Sequence, residues 1–313
     1  MSPVLSIIIP LYNKEKHIID TLDSVWSQSF SNFEIIIVND GSTDNSLNKI
    51  NAINDERLRI FSIENQGVSY ARNYGVSKAN TNLIVFLDAD DIWLKHHLQD
   101  LKELQEEFPD CGMYCKAYDK KNEHILIPSK FKNIPNDSDW KGIIKDYFQS
   151  SLMNSIAWTS AVMVPKQTFD EIGKFNTTYD SGEDTDLWIR IALKFPVAFS
   201  NKVSAIHNLN SDHKITNQKL SSRQHLDFNT FLVAEKQNRS LKTYLDLNRY
   251  AVAIEYKLEG NSVQSKSTFQ DIDSKNLTTL QKLIFNLPTL VIQQVLKFRN
   301  ILRRLHLDLR LFR

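Results

Sequence analysis

The stretch LIVFLDADD, Leu83 to Asp91, decides the fold. Its first five residues are apolar without alternation, the mark of a strand covered on both faces. Three carboxylates follow within four positions: Asp88, Asp90 and Asp91. Like charges so close repel, so this strand end needs something to hold.

The same pattern recurs upstream. Val4–Ile9 is a β-branched run, Phe33–Val38 a second apolar strand and Leu58–Ile63 a third strand. Between and after them, Lys16–Gln28, Leu47–Ile53, Gly67–Ala79 and Ile92–Phe108 carry helical spacing or helix-opening residues. Continuous strands alternating with amphipathic helices predict an α/β fold, a mostly parallel sheet flanked by helices. Such sheets bind ligands at the carboxyl ends of their strands. Three polar clusters fall there: Leu11-Tyr12-Asn13, Asn39-Asp40-Gly41-Ser42 and Asp88–Asp91.

The middle is less regular. Cys111–Tyr118 and Ser160–Val164 read as strands, Trp140–Ser150 and Pro165–Ile172 as helices. Glu183–Phe195 is amphipathic and Val197–His207 extended. From about Ser221 strand signals fade: Gln224–Glu259 reads as helical and the polar Gly260–Asn276 as a linker. The organisation expected is a domain over 1–215 and a helical C-terminal region over 216–313.

At 313 residues, 42% hydrophobic and 24% charged, the chain is an ordinary globular sequence rather than a disordered one. A net charge of +1 points to no polyanionic partner. Cys111 and Cys115 read as buried, reduced thiols, because a disulfide framework needs more cysteines. The apolar run near the N-terminus is too short for a signal h-region, and no run of about 18 apolar residues marks a membrane span.

Asp88 and Asp90, two apart in extended or tightly turned chain, point the same way. Their oxygens suit a hard cation such as Mg²⁺ or Mn²⁺; Asp91 reads as the cap of an Ile92 helix. Asp40 stands where a carboxylate can accept from a base or ribose, with Ser42 or Thr43 capping the next helix and Asp44 complementing its dipole. Gly67 opens a helix that carries Arg72, and both features favour phosphate oxygens. Glu183, Asp184 and Asp186 crowd the first turn of another helix, where dipole complementation and a general base compete as explanations.

In order, SIIIPLYN (6–13), IIIVNDGSTD (35–44), NQGVSYARNYG (65–75), FLDADD (86–91) and GEDTDLWIRIA (182–192) resemble the inverting family 2 glycosyltransferases of the GT-A fold, of the kind that build bacterial cell-surface polysaccharides. The resemblance covers roughly residues 4 to 210. It implies a GT-A, Rossmann-like nucleotide-binding sheet with a helical C-terminal extension. Pro10, Tyr12 and Asp40 would hold the uracil and ribose of a UDP-sugar, Arg72 would lie near the diphosphate, and Asp88 on the ribose side. Asp90 would ligate Mn²⁺ or Mg²⁺. Asp184 would be the catalytic base, with Glu183 supporting it or meeting the acceptor, and Trp188 would pack the helix onto the core. The segment SAIHNLNSDH (204–213) departs from the family pattern; His207 is the candidate further metal or diphosphate contact there, and His213 a weaker one. Asn39 stands where an aspartate is usual.

The implied reaction moves a sugar from a nucleotide-sugar to a hydroxyl of a glycan or lipid-linked acceptor. Two alternatives stand against it. A nucleotidyltransferase would want a triphosphate-gripping loop, which is not evident. A non-catalytic nucleotide-sugar-binding module would have shed its acids, yet Asp88, Asp90 and Asp184 are present. From residue 280 onward seven Lys or Arg accompany a single Asp. There Val291, Val295, Phe298, Leu302 and Leu305 follow helical spacing, with Lys297, Arg299, Arg303 and Arg304 among them. This reads as a peripheral contact with anionic lipid, placing the enzyme in the cytoplasm at the inner face of the membrane. Nucleic acid fits poorly, because the charge is local and aromatic residues are sparse.

Overall fold

Strand β1 (Leu5–Leu11) is buried at every position and lies between two parallel neighbours. The computed structural model describes residues 3–212 and 219–304, with side chains to Leu296 in the last helix. In chain order, β1 is followed by α1 (Ile18–Trp26), β2 (Phe33–Asp40), α2 (Ser46–Asn51), β3 (Leu58–Ile63), α3 (Val68–Lys78), β4 (Leu83–Phe86), β5 (Ile92–Trp93) and α4 (His97–Glu107). Then come β6 (Met113–Asn122), β7 (Ile125–Pro128), β8 (Lys141–Ile143), α5 (Tyr147–Ser150), β9 (Val162–Pro165), α6 (Lys166–Ile172), α7 (Glu183–Lys194) and β10 (Val197–Asn208). The C-terminal helices are α8 (Leu232–Gln237), α9 (Arg239–Leu258), α10 (Ser262–Gln270), α11 (Thr279–Asn286) and α12 (Thr289–Arg304).

The main sheet runs β3-β2-β1-β4-β9-β6-β10-β5. The first four are parallel, β9 is antiparallel to both its neighbours, and β6 and β10 therefore run with β1 again. The sheet is thus mostly parallel, as the apolar runs predict. Period-two alternation sends Ile8, Ile36, Val38 and Phe86 to one face, under α3, α7 and the C-terminal helices. Ile7, Ile9, Ile35, Ile37 and Val85 go to the other, under α1 and α4. Helix α3 comes so close that a Cβ on Gly75 would stand 2.5 Å from Ile8 Cγ2. Trp188 is buried edge-on to Phe175, packing α7 as expected.

The strand β1 runs through Pro10 rather than ending at it. Beyond Ile8 its partner β4 has finished, so a residue without an N–H leaves no ladder bond unmade on that side. Three other expectations are corrected. Ile92 does not open a helix: Ile92 and Trp93 pair with β10, and α4 begins at His97. Trp140–Ser150 is not one helix, because Lys141–Ile143 pairs with β10 and leaves a single turn, α5, capped by Asp146. Gly260–Asn276 is not only a linker: Asn261 caps α10, which docks on α9 through Ser265 Oγ to Ala253 O at 2.8 Å. Cys111 and Cys115 are buried and unbridged. No described helix is long and apolar enough to cross a membrane. In α12, Ile292 is buried against Tyr250 and Ala253, while Leu290 and Val291 are exposed. Leu305, like His213, lies outside the described residues, as do the side chains of Lys297, Phe298, Arg299, Leu302, Arg303 and Arg304.

Candidate active site

The carboxyl ends of β1, β2 and β4 meet at one rim. Asn13 adopts a left-handed backbone (φ 51°), and its Oδ1 accepts the Thr43 N–H at 2.7 Å. Ser42 Oγ accepts the Asn13 N–H. Ser42 and Thr43 thus tie the loop after β2 to the loop after β1 rather than capping a helix, because α2 begins only at Ser46, whose N–H donates to Asp44. Tyr12 is exposed beside this clamp, while Pro10, within β1, is buried.

Asp40 is buried, and each of its oxygens accepts a backbone N–H at the entry to α3: Gln66 at 2.8 Å and Gly67 at 2.9 Å. Burial pushes its carboxyl up, and the two amides offset part of that. A carboxylate oxygen has two lone pairs, so acceptor capacity remains for a ligand N–H or hydroxyl.

Arg72 projects from α3 with its side chain 4% exposed. Its Nη2 donates to Asp88 Oδ1 at 2.7 Å and its Nη1 to Glu183 Oε1 at 2.9 Å. One guanidinium therefore joins the end of β4 to the start of α7. Burial disfavours its charge, but the carboxylates of Asp88 and Glu183 outweigh that and hold it protonated. Burial first, then the adjacent Asp184, pushes the Glu183 carboxyl up to about 7 against the pull of Arg72.

The three acids opening α7 have separate partners. Glu183 faces Arg72, and Asp186 pairs with Arg190 one turn on at 2.7 Å. Asp184 accepts the Thr185 N–H at 2.6 Å, lies 3.5 Å from Thr159 Oγ1, and borders a cavity.

Asp91 is buried and serves the architecture. Its Oδ2 accepts from Ser160 Oγ at 2.6 Å and its Oδ1 from the Asn208 N–H at 3.0 Å. Ser160 Oγ in turn accepts the Asp88 N–H, which fixes the turn bearing Asp88 and Asp90. Burial, then Asp90 and Asp88, drives the Asp91 carboxyl well above the usual range.

Lys14, which no sequence motif singled out, reaches the same rim. Its Nζ lies 2.9 Å from Asp90 Oδ2 and donates to Ser211 Oγ at 2.8 Å and Asp212 O at 2.6 Å. His207 stacks on Trp158, ring centroids 4.9 Å apart.

Asp88 and Asp90 are hard oxygen donors of the kind Mg²⁺ and Mn²⁺ take. Yet Arg72 and Lys14 are paired with them, and no three His, Cys, Asp or Glu come together as a metal cage among the described residues. That donor set fits a cation held by one or two carboxylates and completed by substrate phosphates, the usual Mg²⁺ pattern. It does not fit a resident, protein-caged metal.

An uncharacterized glycosyltransferase of Rickettsia felis is 29% identical over 225 residues, covering 69% of this chain and 36% of that protein. One of Rickettsia typhi is 27% identical over 226 residues, covering 69% and 68%. The chain thus spans only part of each relative. The fold is similar to that of S. aureus TarS, with a TM-score of 0.59 at 18% identity, covering 87% of this chain and 50% of TarS. The TarS 1–349 structure in complex with UDP-GlcNAc gives a TM-score of 0.53 at 19% identity, covering 85% and 89%. Residues 6–164 match the family described as glycosyl transferase family 2. That match takes in the rim clamp, Asp40, Arg72 and the carboxylates after β4, and the chain belongs to glycosyl transferase family 2.

Proposed function

We propose that this glycosyltransferase moves a hexosyl or N-acetylhexosaminyl group from a UDP-sugar to a hydroxyl of a glycan or lipid-linked acceptor, with inversion, in cell-surface polysaccharide synthesis. The observation that carries the reading is the grip of Arg72 on both Asp88 and Glu183, which joins the donor rim to the helix bearing the candidate base. The fold it shares with TarS, a protein seen with UDP-GlcNAc, supports the choice of donor.

Tyr12 offers an exposed ring for the base, and Asp40 keeps acceptor capacity for uracil or ribose. Asp88 serves the ribose side. Arg72 lies toward the diphosphate, but with both Nη atoms on carboxylates it acts first by orienting Asp88 and Glu183. Asp90, with His207 as a further candidate, would hold Mn²⁺ or Mg²⁺, whose bound charge stabilises the leaving diphosphate. Asp184 borders open space and is the better base, because Glu183 is buried and tied to Arg72. Asp184 takes the acceptor's hydroxyl proton as that oxygen attacks the anomeric carbon opposite the diphosphate. One displacement breaks the bond to the leaving oxygen and inverts the centre. The exposed Leu290 and Val291 and the basic residues after them support a peripheral contact with the inner face of the cytoplasmic membrane.

Hydrolysis and transfer across UDP-, GDP- and dTDP-sugars, with and without Mn²⁺, tests the reading. Release of UDP from at least one UDP-sugar is expected; turnover of none, with the protein folded, would overturn it.

A further inference from the structure

A cavity of about 240 Å³ opens beside Asp184, between the start of α7 and the face of α9. One side is Gly182 and Asp184; the other is Arg223, His225, Asn248 and Glu255. Both groups lie beyond residues 6–164, the part of the chain that matches the family. The segment 224–226 is stitched to the lead-in of α7 by an isolated bridge. Ser181 and His225 form a parallel bridge, Asp180 N–H donates to Gln224 O at 2.7 Å, and Leu226 N–H donates to Ser181 O at 2.9 Å. Gly182 must be glycine for this approach. Its φ is +78°, and a Cβ there would stand 2.9 Å from Leu226 Cβ.

The lining is chemically mixed. Arg223, with its side chain 4% exposed, donates from Nη2 to Glu255 Oε1 at 2.6 Å. Its Nε is buried with no hydrogen-bond partner, and so is Ser181 Oγ nearby. Those two atoms lie behind the wall, so what the cavity meets is the rest of the Arg223 side chain and its pair with Glu255. Burial lowers the His225 pKa and favours the neutral ring, so Arg223 is the cation of the wall, set against the Glu255 and Asp184 carboxylates. Leu226, Phe228 and Val252 add apolar surface.

Donors and acceptors around an apolar face suit a polyhydroxylated ring, which offers C–H surface on its faces and hydroxyls on its rim. A lipid chain would press hydrocarbon against the Arg223–Glu255 ion pair and Asp184, and a diphosphate would meet two carboxylates. At roughly 30 Å³ per water, the volume holds about eight waters, the scale of a single sugar ring. We propose that this cavity is the acceptor subsite. It takes a terminal sugar residue of a glycan, and Arg223, Asn248 and Glu255 determine its specificity while Asp184 faces the reacting hydroxyl. The inference rests on the glycosyltransferase reading and deepens it.

The test measures saturation transfer by NMR from the 313-residue chain, in the presence of UDP and Mg²⁺, to two probes, methyl β-D-glucopyranoside and methyl N-acetyl-β-D-glucosaminide. Ala251→Trp fills the cavity, and Asn248→Leu keeps volume while removing a polar edge. UDP affinity reports separately on the donor rim, and thermal unfolding on the fold. Binding of at least one glycoside to the wild type, weakened about tenfold or more in either folded variant, supports the subsite. If UDP binds but neither glycoside does, or if both folded variants bind glycoside as the wild type does, the subsite assignment is wrong while the donor reading stands. If the wild type binds no UDP, the donor reading itself has failed.

Discussion

Arg72 Nη1 lies 2.9 Å from Glu183 Oε1, an ion pair between buried side chains 111 positions apart. It couples α3, which packs under the first sheet strands, to α7, which carries the candidate base. Removing one member of a buried pair leaves the other charge unmatched and costs about 3–5 kcal/mol. Arg72→Met is expected to lose stability on that scale in urea denaturation and to lose transfer. Arg72→Lys recovers little, because one ammonium cannot span both carboxylates as the planar fork does.

Glu183 also gives stability a pH dependence with a definite sign. Its folded pKa, about 7, lies above its ordinary value of 4.5. The folded state therefore binds a proton that the unfolded state has lost. That contribution is fully present below about 4.5 and disappears as the pH rises through about 7. Relative to Glu183→Gln, the wild type is expected to lose stability across that window; parallel curves would refute the assignment.

His97 acts in the opposite direction. Burial first, then the charge of Lys116, holds its pKa well below 6.5, and its ring stacks on Trp93 with centroids 4.5 Å apart. The unfolded chain binds a proton that the folded one refuses, so stability is present above 6.5 and falls as the pH drops below it. Replacing the ring by His97→Phe should reduce the slope there by up to about 1.4 kcal/mol per pH unit, read from denaturation between pH 5 and 7.

Asp184→Asn should abolish transfer while leaving UDP-sugar affinity nearly unchanged, because Asp184 borders the cavity rather than the rim clamp. Near-normal turnover in this variant would remove Asp184 from its role. Asp90→Ala should abolish metal-stimulated transfer as well.

Lys14 Nζ, 2.9 Å from Asp90, competes for the carboxylate assigned to the cation. Mn²⁺ titrations followed by electron paramagnetic resonance, with no donor present, should show tighter binding in Lys14→Met than in wild type. Equal affinities would mean that the pair does not oppose the ion.

The rim was legible because its residues sit at the ends of continuous apolar runs, where the turn of the chain is local. The partners of those residues were not. Asp91 read as a helix cap because capping is a neighbour relationship, whereas its actual partners are Ser160, 69 positions on, and Asn208, 117 positions on. Lys14 stood in plain view after Tyr12-Asn13, yet only the return of β10 brings Ser211 and Asp212 to it. Helix α10 is polar, and α9 stabilises it where local propensity is weak. Arg223 and His225 carry no motif at all; their place beside Asp184 follows from one bridge to Ser181.

That bridge has a consequence for exchanging parts of the chain. A wall of the candidate base's cavity is supplied by a segment that closes against it late in the chain, so the segment and α9 have to be moved as one piece. Grafting 219–259 from a relative, with Gly182 kept, should change which acceptor is glycosylated and leave the donor choice where it was. Cutting the chain at 215 would strip the wall and also uncover the sheet face that Phe228, Phe231, Leu241 and Leu245 help to bury, so recognition and fold would be lost together.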